Sequence, residues 1–258
     1  MLYLCVEFFK EKNPARLKEY IFAIEKNLSR SFIDKLVLCC SNDEYNADKD
    51  FFENHCENFR SKYGDKIELV KFDGKRFTFN KLFEICKWFP DGTICCTANL
   101  DIFLDDSDAW RNVSNEFFEV VGNRACLALC RTEYINDVFE YRIESAWNTG
   151  TFCDFWGFRT PLPFKPEELL YTVPVGNAMT CDNKMFYFLS TKYQKVFNWA
   201  KKYKIYHIDL VRKPETLVTR EAQIISNDAS MDMMSVNYPL KDIIPYQDWE
   251  TQLKEFLN

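Results

Sequence analysis

An α/β fold built on a mostly parallel, doubly wound sheet is what this chain predicts, and three observations carry that expectation. Short apolar runs recur through the first hundred residues, at Leu2 to Phe9, Lys35 to Cys40, Ile67 to Phe72 and Gly92 to Thr97. Between them lie segments of roughly ten to fifteen residues with helical spacing, and that alternation is the signature of parallel strands joined by crossover helices. The fourth run ends in Asn99-Leu100-Asp101. This sets oxygen ligands on rigid scaffold at the strand end where α/β proteins place their ligands.

The elements follow in order. After the first strand, Asn13 reads as a helix cap and Pro14 as a first-turn proline. Leu17, Ile21, Ile24 and Leu28 then recur at helical spacing. A polar turn after the second strand leads to a helix over Asp50 to Tyr63. A third helix over Thr78 to Trp88 turns Leu82, Phe83, Ile85 and Cys86 inward. The second half is less regular. Strands are expected over Ala125 to Thr132 and Phe152 to Phe158, and a loop-rich stretch is marked by Pro161, Pro163, Pro166 and Pro174. A helix over Asp182 to Leu189, a short strand over Lys204 to Ile208 and a terminal helix from about Gln247 complete the chain. It has no internal repeat, no low-complexity tract and no long linker, so one domain over residues 1–258 is expected.

Composition narrows the function. A chain of 258 residues can bury a sizeable core, and 47% hydrophobic with 17% aromatic content excludes disorder. The net charge of -6 argues against a nucleic-acid partner. The cysteines number 11, an odd count, and pairs such as Cys39-Cys40 and Cys95-Cys96 sit inside apolar runs as small core residues. No Cys-x-x-Cys is matched by a second, and with only His55 and His207 a histidine-rich metal site is excluded. Thiols used in this way fit a cytosol-like compartment. The opening MLYLCVEFFKEKNP lacks the signal-peptide pattern, and no segment approaches the roughly 20 apolar residues of a membrane span. A soluble, cytoplasmic protein with no membrane span is expected.

Four elements bear possible chemistry. Asn99 and Asp101, followed by Asp105, Asp106 and Asp108, suit a hard divalent cation, and such cations usually partner phosphates. A metal-dependent enzyme acting on a nucleotide-diphosphate compound is the reading this suggests, although acidic turns at strand ends are common without any ligand. Asp154 lies among Phe152, Phe155, Trp156 and Phe158, a composition that fits sugar binding; strand alternation would equally turn it to water. Thr180 or Asp182 can cap a helix, and a carboxylate at a helix start is also a rigid place for a general base. His207 leads into Asp209 and the basic pair Arg212-Lys213, which can grip a diphosphate.

Taken in this order, these elements resemble a glycosyltransferase of the GT-A type. The match is to the small family-2-like sugar transferases that include domains encoded by large DNA viruses of algae. The resemblance rests on Asn13 to Arg16 at the first helix start, Ala98-Asn99-x-Asp101-Ile102-x-x-Asp105 at the metal element, and Asp154-Phe155-Trp156 on the acceptor-side strand. It continues in Cys181-Asp182-Asn183 and in His207 to Arg212, and spans roughly residues 2 to 216. It implies a GT-A (nucleotide-diphospho-sugar transferase) fold as a single Rossmann-like domain. Residues 1–110 would be the nucleotide-sugar-binding half, 111–216 the acceptor and catalytic half, and 217–258 a tail. Asn99 stands where many such transferases carry a first Asp, the loop Leu162 to Val173 has no matching pattern, and the last forty residues are unmatched.

The resemblance also implies a mechanism. Arg76 and Lys81 would contact the nucleotide. Asp101, with Asn99 and His207, would coordinate Mn2+ or Mg2+ on the diphosphate of the donor, UDP by family habit, and Arg212 and Lys213 would assist. Asp182 would deprotonate the acceptor hydroxyl of a glycan for displacement with inversion while Asp154 positions that acceptor, the two roles being exchangeable. If the chain is viral, its place would be the host cytoplasm. A sugar-phosphate nucleotidyltransferase needs a glycine-rich loop after the first strand, yet the first glycine is Gly64. A haloacid-type phosphatase needs Asp-x-Asp there, where Lys10-Glu11-Lys12 stands. The alternative is a carbohydrate-binding or inactive transferase-like module.

Overall fold

A computed structural model describes residues 1–135, 138–140, 153–170, 172–175, 181–211 and 249–258. Among them the expected alternation is present. Strand β1 (Leu2–Glu7) leads to α1 (Pro14–Leu28), β2 (Lys35–Ser41), the short α2 (Asn42–Ala47), α3 (Lys49–Tyr63), β3 (Ile67–Phe72), α4 (Phe79–Cys86) and β4 (Ile94–Ala98). The anticipated cap is there: Asn13 accepts hydrogen bonds from the backbone N–H groups of Ala15 and Arg16, with Pro14 in the first turn. Thr78 lies just outside α4 as its cap, accepting from Lys81 N.

Beyond β4 come β5 (Ile102–Leu104), α5 (Asp108–Arg111), a π turn over Ser114–Phe118 and α6 (Glu119–Val121). Then follow β6 (Ala125–Cys130), β7 (Thr132–Ile135), β8 (Val138–Glu140) and β9 (Cys153–Arg159). The chain ends in α7 (Cys181–Lys192), β10 (Lys195–Phe197), β11 (Ile205–Ile208) and α8 (Trp249–Leu257). No helix among the described residues is long and apolar enough to cross a membrane.

The strands form a seven-stranded sheet in the order β10-β6-β9-β4-β1-β2-β3 and a second, four-stranded sheet in the order β5-β11-β7-β8. In the large sheet β9 alone runs antiparallel to its neighbours, β4 and β6. Side-chain alternation divides its core into two layers. Leu4, Val6, Leu36, Leu38, Cys96 and Leu127 pack with residues of α1 and α3. Cys5, Val37, Cys39, Cys95, Cys126 and Trp156 pack with α4 and α7. All cysteines are buried and unbridged, as their place in apolar runs suggested.

The chain passes between the two sheets repeatedly, and two of these passages, both short, are not announced by the sequence pattern. The β4–β5 crossing carries Asn99, Leu100 and Asp101, and the β6–β7 crossing is the single residue Arg131. The run expected as one strand from Ala125 to Thr132 is therefore broken at the point where the backbone changes sheets.

Packing is tight where β9 crosses the large sheet. A Cβ added at Gly157 would lie 3.2 Å from Phe118 Cζ and 3.3 Å from Phe155 Cε1, and both rings are buried. Gly157→Ala is expected to destabilise the fold by about 1–3 kcal/mol through overpacking. The measurement is the urea midpoint at constant m, and an unchanged midpoint would mean that the rings yield without strain.

Candidate active site

The seam between the two sheets gathers most of the residues singled out from the sequence. The β4–β5 and β6–β7 crossings meet there, β11 enters beside β5 and β7, and β1 and β4 end at the same edge.

Asp101 is buried at this seam. One of its carboxylate oxygens, Oδ2, meets Arg16 Nη2 and lies 3.2 Å from His207 Nε2. His207, 3% exposed, is held by β11 pairing with β5, in register with Ile102. Burial pushes the Asp101 carboxyl up, but His207, Arg16 and Arg131 together hold it well below the usual carboxylate range. Arg16 comes from the first turn of α1 and is itself buried. Its Nη1 donates to Glu19 Oε2 at 2.5 Å, to the Ile208 carbonyl at 2.7 Å and to Asp209 Oδ1 at 3.3 Å. Its guanidinium also lies 4.8 Å from the centre of the Tyr20 ring. Three buried carboxylates, Glu19, Asp101 and Asp209, thus surround one guanidinium. The arrangement ties α1 to the β4–β5 crossing and to the end of β11.

A second hydrogen-bonded chain runs beside the first. Asn99 Nδ2 donates to Asp154 Oδ1 at 2.5 Å, and Arg131 Nη1 donates to Asp154 Oδ2 at 2.7 Å. Asp154 is 6% exposed, so strand alternation does not turn it to water. β9 is a central strand buried on both faces, and a β-bulge breaks its alternation at Asp154. Leu129 pairs with Phe155 and Cys130 with Cys153, which leaves Asp154 as the extra residue on β9. A bulge of this kind re-aims one side chain, and here the Asp154 carbonyl also accepts from Asn99 N at 3.2 Å.

Asp182 lies in the first turn of α7, where its Oδ1 accepts from Cys181 Sγ at 3.2 Å. The Cys153 thiol is pushed well above its usual value by its contact with Cys130 and by burial, with further contributions from Asp182 and Asp154. Both carboxylates therefore act on the thiol that precedes Asp154 in sequence.

Arg76 stands at the same sheet edge but away from this pair of chains. Its guanidinium is bidentate on Glu7 at the end of β1, at 3.0 to 3.2 Å, and is half exposed. Burial raises the Glu7 carboxyl, while Arg76 and Phe77 N oppose that rise. Lys81 is on α4, with its amine 3.1 Å from Glu84 on the same helix. Arg212 and Lys213 lie outside the described residues, as does Thr180. Sequence reasoning passed over Glu19 and Arg131, and it named Asp209 only as a neighbour of His207. Glu19 is one helical turn from Arg16, which is a readable signal; Arg131 is placed by the passage between the sheets and carries none.

Among the described residues no three His, Cys, Asp or Glu side chains are grouped to hold a metal ion unaided. The pair Asp101 and His207 nevertheless fits one in kind, because a carboxylate oxygen and an imidazole nitrogen lie side by side, 3.2 Å apart. Divalent ions that serve phosphate chemistry commonly use one or two protein ligands and complete their shell with phosphates and water. The guanidinium of Arg16 sits on the same carboxylate oxygen and is the charge such an ion would have to displace.

No protein-family model matches the chain, and no curated protein matches its sequence. Solved structures do match its fold. A mannosyltransferase from Pyrobaculum calidifontis, in complex with GDP-Man and Mn2+, aligns at a TM-score of 0.50 and 13% identity over 85% of this chain and 59% of its own. TarS residues 1–349 of S. aureus, in complex with UDP-GlcNAc, aligns at 0.52 and 8% identity over 99% of this chain and 70% of its own. GalNAc-T7 with UDP, GalNAc and Mn2+ aligns at 0.52 and 10% identity over 99% and 54%. This chain thus spans little more than half the length of the first and third. At such identities the likeness is one of fold. The chain is an α/β protein whose mostly parallel seven-stranded sheet follows the GT-A fold of these glycosyltransferases.

Proposed function

We propose that this chain is a family-2-like glycosyltransferase that moves a sugar from a nucleotide-diphosphate donor to a hydroxyl group of a glycan or other acceptor. The observation that carries the reading is the meeting at one seam of two chains of polar groups, Arg16–Asp101–His207 and Asn99–Asp154–Arg131, on a fold shared with sugar transferases. Fold alone does not assign function; the buried, hydrogen-bonded acids at the ligand-bearing sheet edge supply the chemistry.

In this reading the ends of β1, β2 and β4 face the nucleotide, UDP being the favoured carrier, and Arg76 and Lys81 belong to that side. Asp101 and His207 would hold Mn2+ or Mg2+. Such an ion, when bound, supplies positive charge to the departing diphosphate. Arg16 keeps Asp101 ionised and oriented in the meantime. Asp154, fixed by two donors, orients the acceptor. Asp182 takes the proton of the attacking hydroxyl, so that the acceptor oxygen displaces the diphosphate with inversion. Arg212 and Lys213 belong to the phosphate side of the same proposal.

The test is a thermal-shift panel of nucleoside diphosphates with and without Mn2+. A ligand at about 100 times its Kd adds roughly 2.7 kcal/mol of stability, which is read as a rise in Tm. The expected result is a shift for one nucleotide that needs the metal and disappears in Asp101→Ala. No shift with any nucleotide would remove the donor site and favour a binding module.

A further inference from the structure

We propose that Arg131 is a positioning residue for sugar transfer, clamping Asp154 so that the acceptor-side carboxylate keeps a fixed place relative to the donor-side Asp101. This rests on the transferase reading above and goes beyond it, because it assigns a role to a residue that the sequence pattern leaves unmarked.

The geometry is specific. Arg131 is the one residue between β6 of the large sheet and β7 of the small one, so its Cα is held by strand pairing on both sides. Opposite it, the bulge on β9 frees Asp154 from the ladder and aims its carboxylate at the seam. The carboxylate is then gripped at both oxygens: by Arg131 Nη1 on Oδ2 at 2.7 Å and by Asn99 Nδ2 on Oδ1 at 2.5 Å. Both partners of the ion pair are largely buried, with side-chain exposures of 15% for Arg131 and 6% for Asp154. A carboxylate whose two oxygens are already engaged is better suited to holding a hydroxyl in place than to removing its proton. This favours Asp182 as the base, with Asp154 as the acceptor-side carboxylate.

The clamp also links the two halves of the site. Asn99 lies two residues before Asp101 on the β4–β5 crossing, and the charge of Arg131 reaches Asp101 as well as Asp154. Removing the guanidinium loosens Asp154 against a neighbour that must be placed to within a fraction of an ångström. Misplacement of about 1 Å costs on the order of 10²-fold in rate.

The experiment compares Arg131→Met, Arg131→Lys, Asp154→Asn and the double variant Arg131→Met/Asp154→Asn, all folded by circular dichroism. Nucleotide binding is read by thermal shift with Mn2+, and transfer by kcat and by KM for the acceptor. Arg131→Met should keep the nucleotide-dependent shift, with Kd within about twofold, and lose about 10²-fold in kcat/KM for the acceptor. Arg131→Lys, which keeps the charge but not the planar fork, should lie about tenfold below the wild type. The double variant should be no slower than Asp154→Asn, because both residues act through one carboxylate.

Transfer by Arg131→Met within twofold of wild type would overturn the proposal, and so would losses that multiply in the double variant. If Arg131→Met does not fold, Arg131→Lys carries the decision, and wild-type kinetics in that variant would overturn it. A wild type with no nucleotide-dependent shift would remove the transferase reading and the proposal together. A wild type that turns over beside an equally active Arg131→Met would remove the proposal alone.

Discussion

Asp182→Asn should leave nucleotide binding intact and cut kcat by about 10² to 10⁴, the usual contribution of a positioned general base. The expectation rests on where Asp182 sits. It occupies the first turn of α7, a rigid mount, and it acts electrostatically on the Cys153 thiol beside Asp154. The substitution is close to isosteric, so the helix start keeps a hydrogen-bonding side chain. A loss confined to kcat marks an interaction made only in the transition state. The checking measurement is steady-state transfer with varied acceptor, alongside the nucleotide-dependent thermal shift. If kcat stays within a few-fold while the shift survives, Asp182 is a helix-start residue and the base lies elsewhere.

Arg16→Met is expected to cost about 3–5 kcal/mol of stability, the range for breaking a buried ion pair by removing one partner. Arg16 is the cation among Glu19, Asp101 and Asp209, and each of these is at least nine-tenths buried at its side chain. Without it the three acids face each other across the β4–β5 crossing, and the Ile208 carbonyl loses the Arg16 hydrogen bond that links α1 to β11. Urea unfolding at neutral pH measures the loss, and a cost below about 1 kcal/mol would mean that another cation takes over. The pH dependence gives a second check. The Asp101 carboxyl is lowered in the folded state, so its contribution is fully present above the unfolded value of about 3.9 and fades as pH falls below it. Without Arg16, His207 and Arg131 still oppose the upward push of burial on Asp101 but the total lowering is smaller, so Arg16→Met should show a shallower loss of stability on acidification than the wild type.

These two expectations separate what was readable in the chain from what was not. Asp101 and Asp182 were marked by position, one at the end of an apolar run and the other at a helix start, and position along the chain is what a sequence records. Arg16 could be placed on α1 from Asn13-Pro14, but its partners Asp101, Ile208 and Asp209 come from segments about 85 to 193 residues away in sequence. Asp154 was read as an alternating strand residue with a choice of facing sugar or water. It is buried because β9 is a central strand, and the bulge that re-aims it depends on how β9 registers against β6, which no local pattern fixes.

By itself the sequence determined the strand–helix alternation of the first half, the cap at Asn13, the apolar use of the cysteines and the oxygen-ligand end of β4. Each of these is set by local propensity or short-range periodicity. The tertiary structure alone decided that β5, β7, β8 and β11 form a second sheet, that Arg131 and Asn99 lie on two of the passages between sheets, and that they grip Asp154 from two sides. The reason is physical. A site at a seam is made by residues distant in sequence, each held by strand pairing, and pairing register is settled only when the whole sheet has closed around its core.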